Sequence, residues 1–149
     1  HWITFNEPQS FTWLGYGNGA HAPGRCSDYV SEDCAWVADG GDTPSEPYLA
    51  AHNVILAHAK AVKTFREKYQ KTQGGVIGMC VNTDYGEPYD ASSQDDIDAV
   101  NTMVEFQYGW YHDPLVFGKY PDSMVNLITD NRLPSFTEEE SEMVKGSFD

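Results

Sequence analysis

The order of strand-like and helix-like runs constrains the fold of this chain more than any other feature of its sequence. Residues 2–5 are β-branched or aromatic, and residues 74–82 form a short apolar run that begins with two glycines. Two longer segments accompany these runs: residues 46–70 lie between them, and residues 92–117 follow them. Each segment has apolar side chains at helical spacing. Alternating strands and helices are typical of βαβα units, so we predict an α/β fold with a parallel sheet.

The boundaries of these elements can also be predicted. We expect Ser45 to cap the first long helix and Pro47 to lie in its first turn. The second long helix starts in an acid-rich segment, and we expect Pro114 and Gly118 to disrupt it. Residues 9–45 are rich in Gly, Pro and Asp, and their length predicts a functional loop.

Two shorter runs near the end of the chain favour surface helices. Residues 121–133 and residues 137–148 carry this pattern. In the second run, Thr137 and Glu140 have the spacing of a capping box.

Two strands are too few to close a sheet. A parallel pair needs both faces covered and both edges paired, which favours a segment of a larger α/β barrel of about 250 residues or more. The chain begins at His1 without an initiator Met, and its last residues provide no strand after three helical runs. We therefore expect residues 1–149 to be an internal fragment of a single barrel domain.

The net charge limits the possible partners. The formal charge is −14 at pH 7, and no basic cluster offsets it, so we expect no nucleic acid or anionic lipid as a partner. No apolar run approaches the roughly 20 residues that span a bilayer. The sequence also has no cluster with metal-ligand spacing and no Gly-rich phosphate loop after a strand, so we predict neither a metal nor a cofactor.

The three cysteines fall into two environments. Cys26 and Cys34 lie in a polar, acidic loop, whereas Cys80 lies in an apolar run. A Cys26–Cys34 disulfide predicts an oxidising compartment, either the exterior or an endomembrane lumen such as the vacuole. Two reduced thiols are the alternative, and the spacing is poor for a metal site. We expect Cys80 to be a buried small hydrophobic residue.

The first strand ends at the tripeptide formed by Asn6, Glu7 and Pro8. Pro8 has no backbone N–H with which to continue a strand ladder. Glu7 is therefore expected at the carboxyl end of a strand, which is where α/β barrels place their chemistry.

Seven segments, in this order along the chain, resemble glycoside hydrolase family 1, the family of the β-glucosidases. They are HWITFNEP, APGRCS, GGD with EPYLAAHNVILAHA, GVIGMCVN, GWYHDPLVFGKYP, LPSFTEEE and VKGSFD. The resemblance implies a (β/α)8 barrel that hydrolyses β-linked glycosides with retention of configuration. This chain would span its fourth strand through the helices that precede its sixth strand, about a third of the catalytic domain.

The resemblance also implies roles for individual residues. In the family, the glutamate of Asn-Glu-Pro is the general acid/base, and this position is Glu7. The asparagine before it, here Asn6, hydrogen-bonds the hydroxyl at C2 of the sugar. A second carboxylate, the nucleophile, lies in a Glu-Asn-Gly motif that this sequence does not contain. We therefore expect no turnover from the isolated segment.

Some positions depart from the family pattern, and several aromatic residues and histidines are expected to pack rather than bind. Many plant members carry a Trp where this chain has Gln9, and a His-Trp pair where it has Asp84 and Tyr85. We expect Tyr85 and Tyr16 to stack on the aglycone or on a second sugar of a β-glycoside or oligosaccharide substrate. We expect His52 and His58, on the first long helix, to pack or to support site residues from behind without touching the substrate. Trp110, Tyr111 and His112, on the second, are expected to serve the core and interfaces.

Two alternatives to a retaining β-glucosidase stay open at this level. One is an inactive barrel homologue that serves as a carbohydrate-binding or structural and assembly subunit, because a fold alone does not determine function. The other is a related endoglucanase or xylanase that shares the Asn-Glu pair. In each case the rest of the barrel is the partner that the segment requires.

Overall fold

The computed structural model describes residues 1–31, 34 and 40–149. In these residues two strands and seven α-helices follow one another along the chain. The elements are β1 (Trp2–Asn6), α1 (Pro8–Tyr16), α2 (Glu46–Phe65), α3 (Lys71–Gln73), β2 (Ile77–Cys80), α4 (Gln94–Val104), α5 (Trp110–Phe117), α6 (Asp122–Leu127) and α7 (Glu138–Val144). Single π-helical turns, Arg66–Gln70 and Glu105–Gly109, join α2 to α3 and α4 to α5. No helix of this described part is both long and apolar enough to cross a membrane.

The two strands form a parallel sheet, as predicted. β1 pairs with β2, and α2 is the long helix of the crossover between them. Asp149 lies at the start of β2, where its backbone N–H donates to the carbonyl of Ile77 and its carboxylate accepts from the N–H of Ile77. The last residue of the chain is thus fixed against the sheet.

The main hydrophobic core lies between α2 and the later helices. Its centre combines small residues of α2 with large residues of α5 to α7, since small and bulky side chains interdigitate well. Its buried members are Ala51, Ile55, Ala59, Trp110, Tyr111, Leu115, Tyr120, Met124, Ile128 and Val144. The prediction that Trp110 and Tyr111 serve packing is therefore confirmed, and His112 is half-buried beside them.

The predicted helices are present, and two of their boundaries differ. Ser45 is the N-cap of α2, but its side chain bonds no N–H of this fully described helix. Pro114 lies inside α5, which continues to Phe117 and ends at Gly118, where φ is 77°. A left-handed residue stops a helix, whereas Pro114 is accommodated. The capping box of Thr137 and Glu140 is confirmed.

The long loop and Cys80 also differ from expectation. The segment 9–45 is not loop throughout, because α1 begins at Pro8 and includes the first eight residues of the segment, 9–16. Pro8 starts that helix as well as ending the strand, which is a common position for proline. Cys80 is exposed. Among the described residues, helices cover one face of its strand, and Cys80 lies on the opposite face, which is the inner face in a closed barrel.

Candidate active site

Glu7 occupies the turn between β1 and α1. Its backbone is left-handed, with φ 49° and ψ 56°, a conformation that costs a non-glycine residue about 1–2 kcal/mol. Its N–H donates to the carbonyl of Cys80 at 2.8 Å, which ties the turn to the end of β2. The side chain is exposed, and within α1, all of whose residues are described, it caps no backbone N–H. The carboxylate is therefore available for other contacts.

An extra residue in β1 changes the pairing of the two strands. Ile3 pairs with Gly78 and Asn6 pairs with Cys80, so three steps along β1 match two steps along β2. This irregularity is a β-bulge at residues 4–5, and bulges of this kind often redirect side chains beside active sites.

The bulge determines which way Asn6 points. Side chains alternate along a strand, so an unbroken β1 would place Asn6 on the same face as Thr4, toward α2. Because of the bulge, Asn6 instead shares a face with its partner Cys80, and both are exposed. Met79 lies on the other face and packs against the helical core. Asn6 and Glu7 are thus both presented on the open side of the sheet.

The helix-facing side of β1 is fixed by His58 of α2. Thr4 Oγ1 lies 2.6 Å from His58 Nδ1, and His58 Nε2 lies 2.6 Å from the carbonyl oxygen of Ser147. A carbonyl only accepts, so Nε2 carries the proton and Nδ1 accepts from the Thr4 hydroxyl. Burial lowers the pKa of His58, although the Ser147 carbonyl opposes that shift. The expected packing role of this histidine is confirmed.

Helix α1 is anchored by a buried pair of hydroxyls. Thr12 Oγ1 donates to the carbonyl of Pro8 at 2.8 Å and accepts from the Tyr111 hydroxyl at 2.7 Å. Thr12 and Tyr111 are both fully buried, and burial raises the pKa of Tyr111. These two hydrogen bonds link Tyr111 of α5 to Pro8, the residue next to Glu7. Helix α5 therefore holds the start of α1 in place.

Two polar side chains reach toward Glu7 from different elements. Ser10, in the first turn of α1, places Oγ 3.5 Å from Glu7 Oε2. Asn82, two residues after the end of β2, donates from Nδ2 to that Ser10 oxygen at 3.1 Å. Asn82 Oδ1 is buried, and no described residue supplies a hydrogen-bond partner for it.

Comparison with known proteins supports the resemblance in the sequence. The family model described as Glycosyl hydrolase family 1 matches residues 1–149. The chain belongs to glycosyl hydrolase family 1.

Curated family 1 relatives match the chain along its whole length. A furostanol glycoside 26-O-β-glucosidase from Hellenia speciosa is 48% identical over 149 residues, which are 100% of this chain and 25% of the relative. Beta-glucosidase 16 of Arabidopsis thaliana is 47% identical over 148 residues, 99% of this chain and 28% of the relative. The chain therefore spans about a quarter of the length of these relatives.

Solved family 1 structures agree on the fold. A glutamate-to-glutamine mutant of rice Os3BGlu6 β-glucosidase, in a covalent complex with Glc from GA4GE, superposes with a TM-score of 0.92 at 41% identity and covers 100% of this chain and 30% of its own. A β-glucosidase from the fungus Humicola insolens, in complex with glucose, gives 0.91 at 47% identity, with 99% and 30% covered. Family 1 β-glucosidases are (β/α)8 barrels, and this chain is part of such a barrel.

The two tyrosines expected to bind substrate lie in different surroundings. Tyr85 follows β2 and is 88% exposed, with its hydroxyl 3.4 Å from Glu87 Oε1. Tyr16, at the end of α1, lines a groove with Phe5 and Phe11, and the described lining of that groove does not include Glu7. The structure therefore does not join Tyr16 to the carboxylate, and both stacking roles stay predictions.

The disulfide between Cys26 and Cys34 is confirmed, with both residues buried and their Cα atoms 5.2 Å apart. The neighbouring loop is fixed to α2 by Arg25, whose guanidinium donates to the Glu46 carboxylate at 2.9 and 3.1 Å. The hydrogen bond from Arg25 lowers the pKa of Glu46. The observed disulfide thus agrees with the prediction from the sequence.

Sequence reasoning missed Ser10, Asn82 and the bulge. Ser10 fell inside a segment predicted as loop, although Pro8 followed by Phe11 and Leu14 at three-residue spacing signals a helix. Asn82 stands at the end of an apolar run, the position that should have indicated a site residue. The bulge leaves no mark in residues 2–5 that could have been recognised.

Proposed function

We propose that this chain is a segment of the catalytic domain of a retaining β-glycosidase of the β-glucosidase type, with Glu7 as the general acid/base. One observation carries the proposal: Glu7 is exposed at the carboxyl end of a barrel strand, in a strained left-handed turn, and its carboxylate caps nothing in α1. Strained residues that the surroundings hold in place cluster at active sites. The family and its named β-glucosidases support the same assignment.

The chemistry assigns two steps to Glu7. In the first, a nucleophilic carboxylate bonds to the anomeric carbon while the bond to the leaving oxygen breaks, and Glu7 gives that oxygen its proton. In the second, Glu7 takes a proton from water, whose oxygen displaces the nucleophile and restores the original configuration. We propose that this nucleophile lies outside the 149 residues, about 5 Å from Glu7, as retention requires.

Asn6 is the proposed ligand of the sugar hydroxyl next to the reacting carbon. Its amide offers both donors and an acceptor, and the bulge presents it on the same open side as Glu7. A hydrogen bond to the 2-hydroxyl strengthens in the transition state. Tyr85, and more distantly Tyr16, are the proposed stacking residues for an aglycone or a second sugar.

The decisive experiment compares full-length protein with its Glu7→Gln variant on two aryl β-glucosides. We expect kcat/KM for 4-nitrophenyl β-glucoside to fall by about 10²- to 10⁴-fold, the usual contribution of a general acid. The loss for 2,4-dinitrophenyl β-glucoside should be far smaller, because that leaving group needs no proton. Azide should then trap a β-glycosyl azide, since it attacks without a general base.

Glu67→Gln is the matched control, because Glu67 is an exposed glutamate on the outer surface of the barrel segment. It should leave both rates unchanged. A parent protein without hydrolysis on any aryl β-glycoside, but with measurable sugar binding, would instead favour the inactive homologue.

We also propose that residues 1–149 alone are inactive. The chain has no Glu-Asn-Gly motif, so only one of the two carboxylates is present. Purified segment incubated with 4-nitrophenyl β-glucoside should release no nitrophenol above the Glu7→Gln segment. Hydrolysis that depends on Glu7 would contradict this proposal.

The disulfide supports a proposed location outside the cell or in an endomembrane lumen. Intact-mass measurement of the protein from its native source should show a gain of about 2 Da on reduction, from the two hydrogens that a broken S–S bond takes up. Reduced Cys26 and Cys34 in freshly isolated protein would contradict the location.

A further inference from the structure

Asn82, Ser10 and Glu7 form a line of polar groups that runs from the end of β2 to the open side of β1. Asn82 Nδ2 lies 3.1 Å from Ser10 Oγ, and Ser10 Oγ lies 3.5 Å from Glu7 Oε2. Seventy-two positions separate Asn82 from Ser10 along the chain, so the sheet itself brings them together. The backbone contact of Glu7 N–H with Cys80 holds the same two chain segments side by side.

The direction of the hydrogen bonds follows from the groups themselves. The amide nitrogen of Asn82 can only donate, so it occupies a lone pair of the Ser10 hydroxyl. The one hydroxyl proton of Ser10 is then left to point elsewhere, and Glu7 Oε2 is the acceptor beside it. Asn82 therefore orients the Ser10 hydroxyl toward the carboxylate.

The two ends of the Asn82 amide differ in their partners. Asn82 Oδ1 is buried, and the described residues offer it no hydrogen-bond partner. Within the described residues the Asn82 amide is therefore held through its nitrogen, by the Ser10 hydroxyl.

We propose that Asn82 is a positioning residue for the acid/base Glu7 and that it acts through the Ser10 hydroxyl; this rests on the function proposed above. Negative charge develops on Glu7 as its proton moves to the leaving oxygen. A hydroxyl already directed at that carboxylate stabilises the developing charge. The 3.5 Å separation shortens as the charge appears, because catalytic hydrogen bonds tighten in the transition state.

The test uses full-length protein, two aryl β-glucosides and four variants: Ser10→Ala, Asn82→Ala, Asn82→Asp and the double variant Ser10→Ala/Asn82→Ala. For unsubstituted phenyl β-glucoside, whose leaving oxygen needs a proton, we expect each single alanine variant to lower kcat/KM about tenfold, part of the general-acid contribution. For 2,4-dinitrophenyl β-glucoside the loss of kcat/KM should stay below about twofold, because departure of this leaving group needs little protonation by Glu7. A general loss of structure would lower both rates alike.

The double variant tests whether Asn82 acts through Ser10. If it does, Ser10→Ala/Asn82→Ala lowers kcat/KM no further than Ser10→Ala alone, because the two residues belong to one network. Multiplied losses would show that Asn82 acts independently and would overturn the proposal.

Asn82→Asp tests the direction of the hydrogen bonds. The new carboxylate has the same shape but accepts, so it draws the Ser10 proton away from Glu7. It should lower the rate on phenyl β-glucoside more than Asn82→Ala does. It should also move the pH at which kcat/KM halves on the alkaline side upward, because a nearby negative charge disfavours loss of the acid's proton. An unchanged pH profile and rate would overturn the proposal.

Thr83→Ala is the matched control on the adjacent residue, whose hydroxyl donates to the Asp84 carbonyl or to Gln107 instead. It should change neither rate. If the parent protein itself proves inactive, the proposed function fails, and crystal structures of parent and Asn82→Ala then decide the positioning role. A Glu7 side chain that keeps its place in that variant would overturn it.

Discussion

The two sides of strand β1 differ in how deeply their polar groups are buried and in the strain of the backbone. On the anchored side, which comprises Thr4, His58, Thr12 and Tyr111, the side chains are hydrogen-bonded to one another or to the backbone, and the last three are fully buried. The open side comprises Asn6, Glu7, Ser10 and Asn82. There Glu7 has a left-handed backbone and the Asn82 oxygen has no partner among the described residues.

Within one short strand, the groups that stabilise the fold and the groups proposed to act on the substrate therefore lie on different sides. Buried, hydrogen-bonded groups stabilise the fold, whereas a strained backbone persists only because the rest of the structure holds it. We infer that the anchored side fixes the strand so that the open side can keep a reactive geometry. Substitutions on the anchored side should therefore lower the free energy of unfolding, whereas relief of the strained turn at Glu7 should raise it.

The largest expected effect is on the anchored side. His58→Ala in the full-length protein removes both hydrogen bonds of the imidazole and leaves the Ser147 carbonyl buried without it. We expect the free energy of unfolding to fall by about 3 kcal/mol, the sum of a lost side chain and an unsatisfied acceptor. Urea denaturation measures it.

His112→Ala is the control for His58→Ala, since His112 is a half-buried histidine paired with its neighbour Asp113. Its cost should stay below about 1 kcal/mol. Equal losses in both variants would show that the anchored side has no special role.

Tyr111→Phe should give a smaller loss on the same side. It removes the hydroxyl that Thr12 accepts from, while Thr12 keeps its hydrogen bond to the Pro8 carbonyl. The expected cost is about 1.5 kcal/mol by urea denaturation, the net contribution of one buried hydrogen bond. Tyr69→Phe, at a half-exposed tyrosine, should cost less than about 0.5 kcal/mol. No difference between the two would mean that α5 does not anchor α1.

The sequence predicted the anchored side better than the open side. His58 lies on the apolar face of a helix with clear 3.6-residue spacing, so its burial and its packing role followed from periodicity. The parallel pairing of the strands likewise followed from the order of the elements. Burial repeats along a helix and leaves a regular pattern in the chain.

The arrangement of the open side has no such pattern. The resemblance to family 1 pointed to Asn6 and Glu7, but the bulge that turns Asn6 outward depends on the pairing with β2. Ser10 and Asn82 meet only because that pairing brings segments 72 positions apart together. The face of β2 on which Cys80 lies follows from the same pairing, since Cys80 pairs with Asn6 and the described helices pack on the other face. Long-range pairing decides these features, and one sequence does not display it.

The pH dependence of stability gives a further test of the anchored side. Burial lowers the pKa of both His58 and His52, so their folded-state values lie below the unfolded value of about 6.5. Below that pH the unfolded chain binds more protons than the folded protein does. The free energy of unfolding therefore falls as the pH falls. We expect at most about 1.4 kcal/mol per pH unit from each histidine. Urea denaturation between pH 7.5 and 5.5 should show a shallower decline in His58→Gln than in the parent.

The smallest expected effect has the opposite sign and lies on the open side. Glu7→Gly replaces a left-handed residue, with φ 49°, by the one residue that adopts this conformation without steric cost. The relief of about 1–2 kcal/mol exceeds the extra freedom that glycine gives the unfolded chain, so the free energy of unfolding should rise by about 0.5–1 kcal/mol while hydrolysis is lost. Glu7→Gln separates the two causes, because it removes the acid but keeps the strained backbone. It should lose activity without gaining stability. If Glu7→Gly instead destabilises the protein, the turn is not strained, and the division of β1 into an anchored and an open side fails.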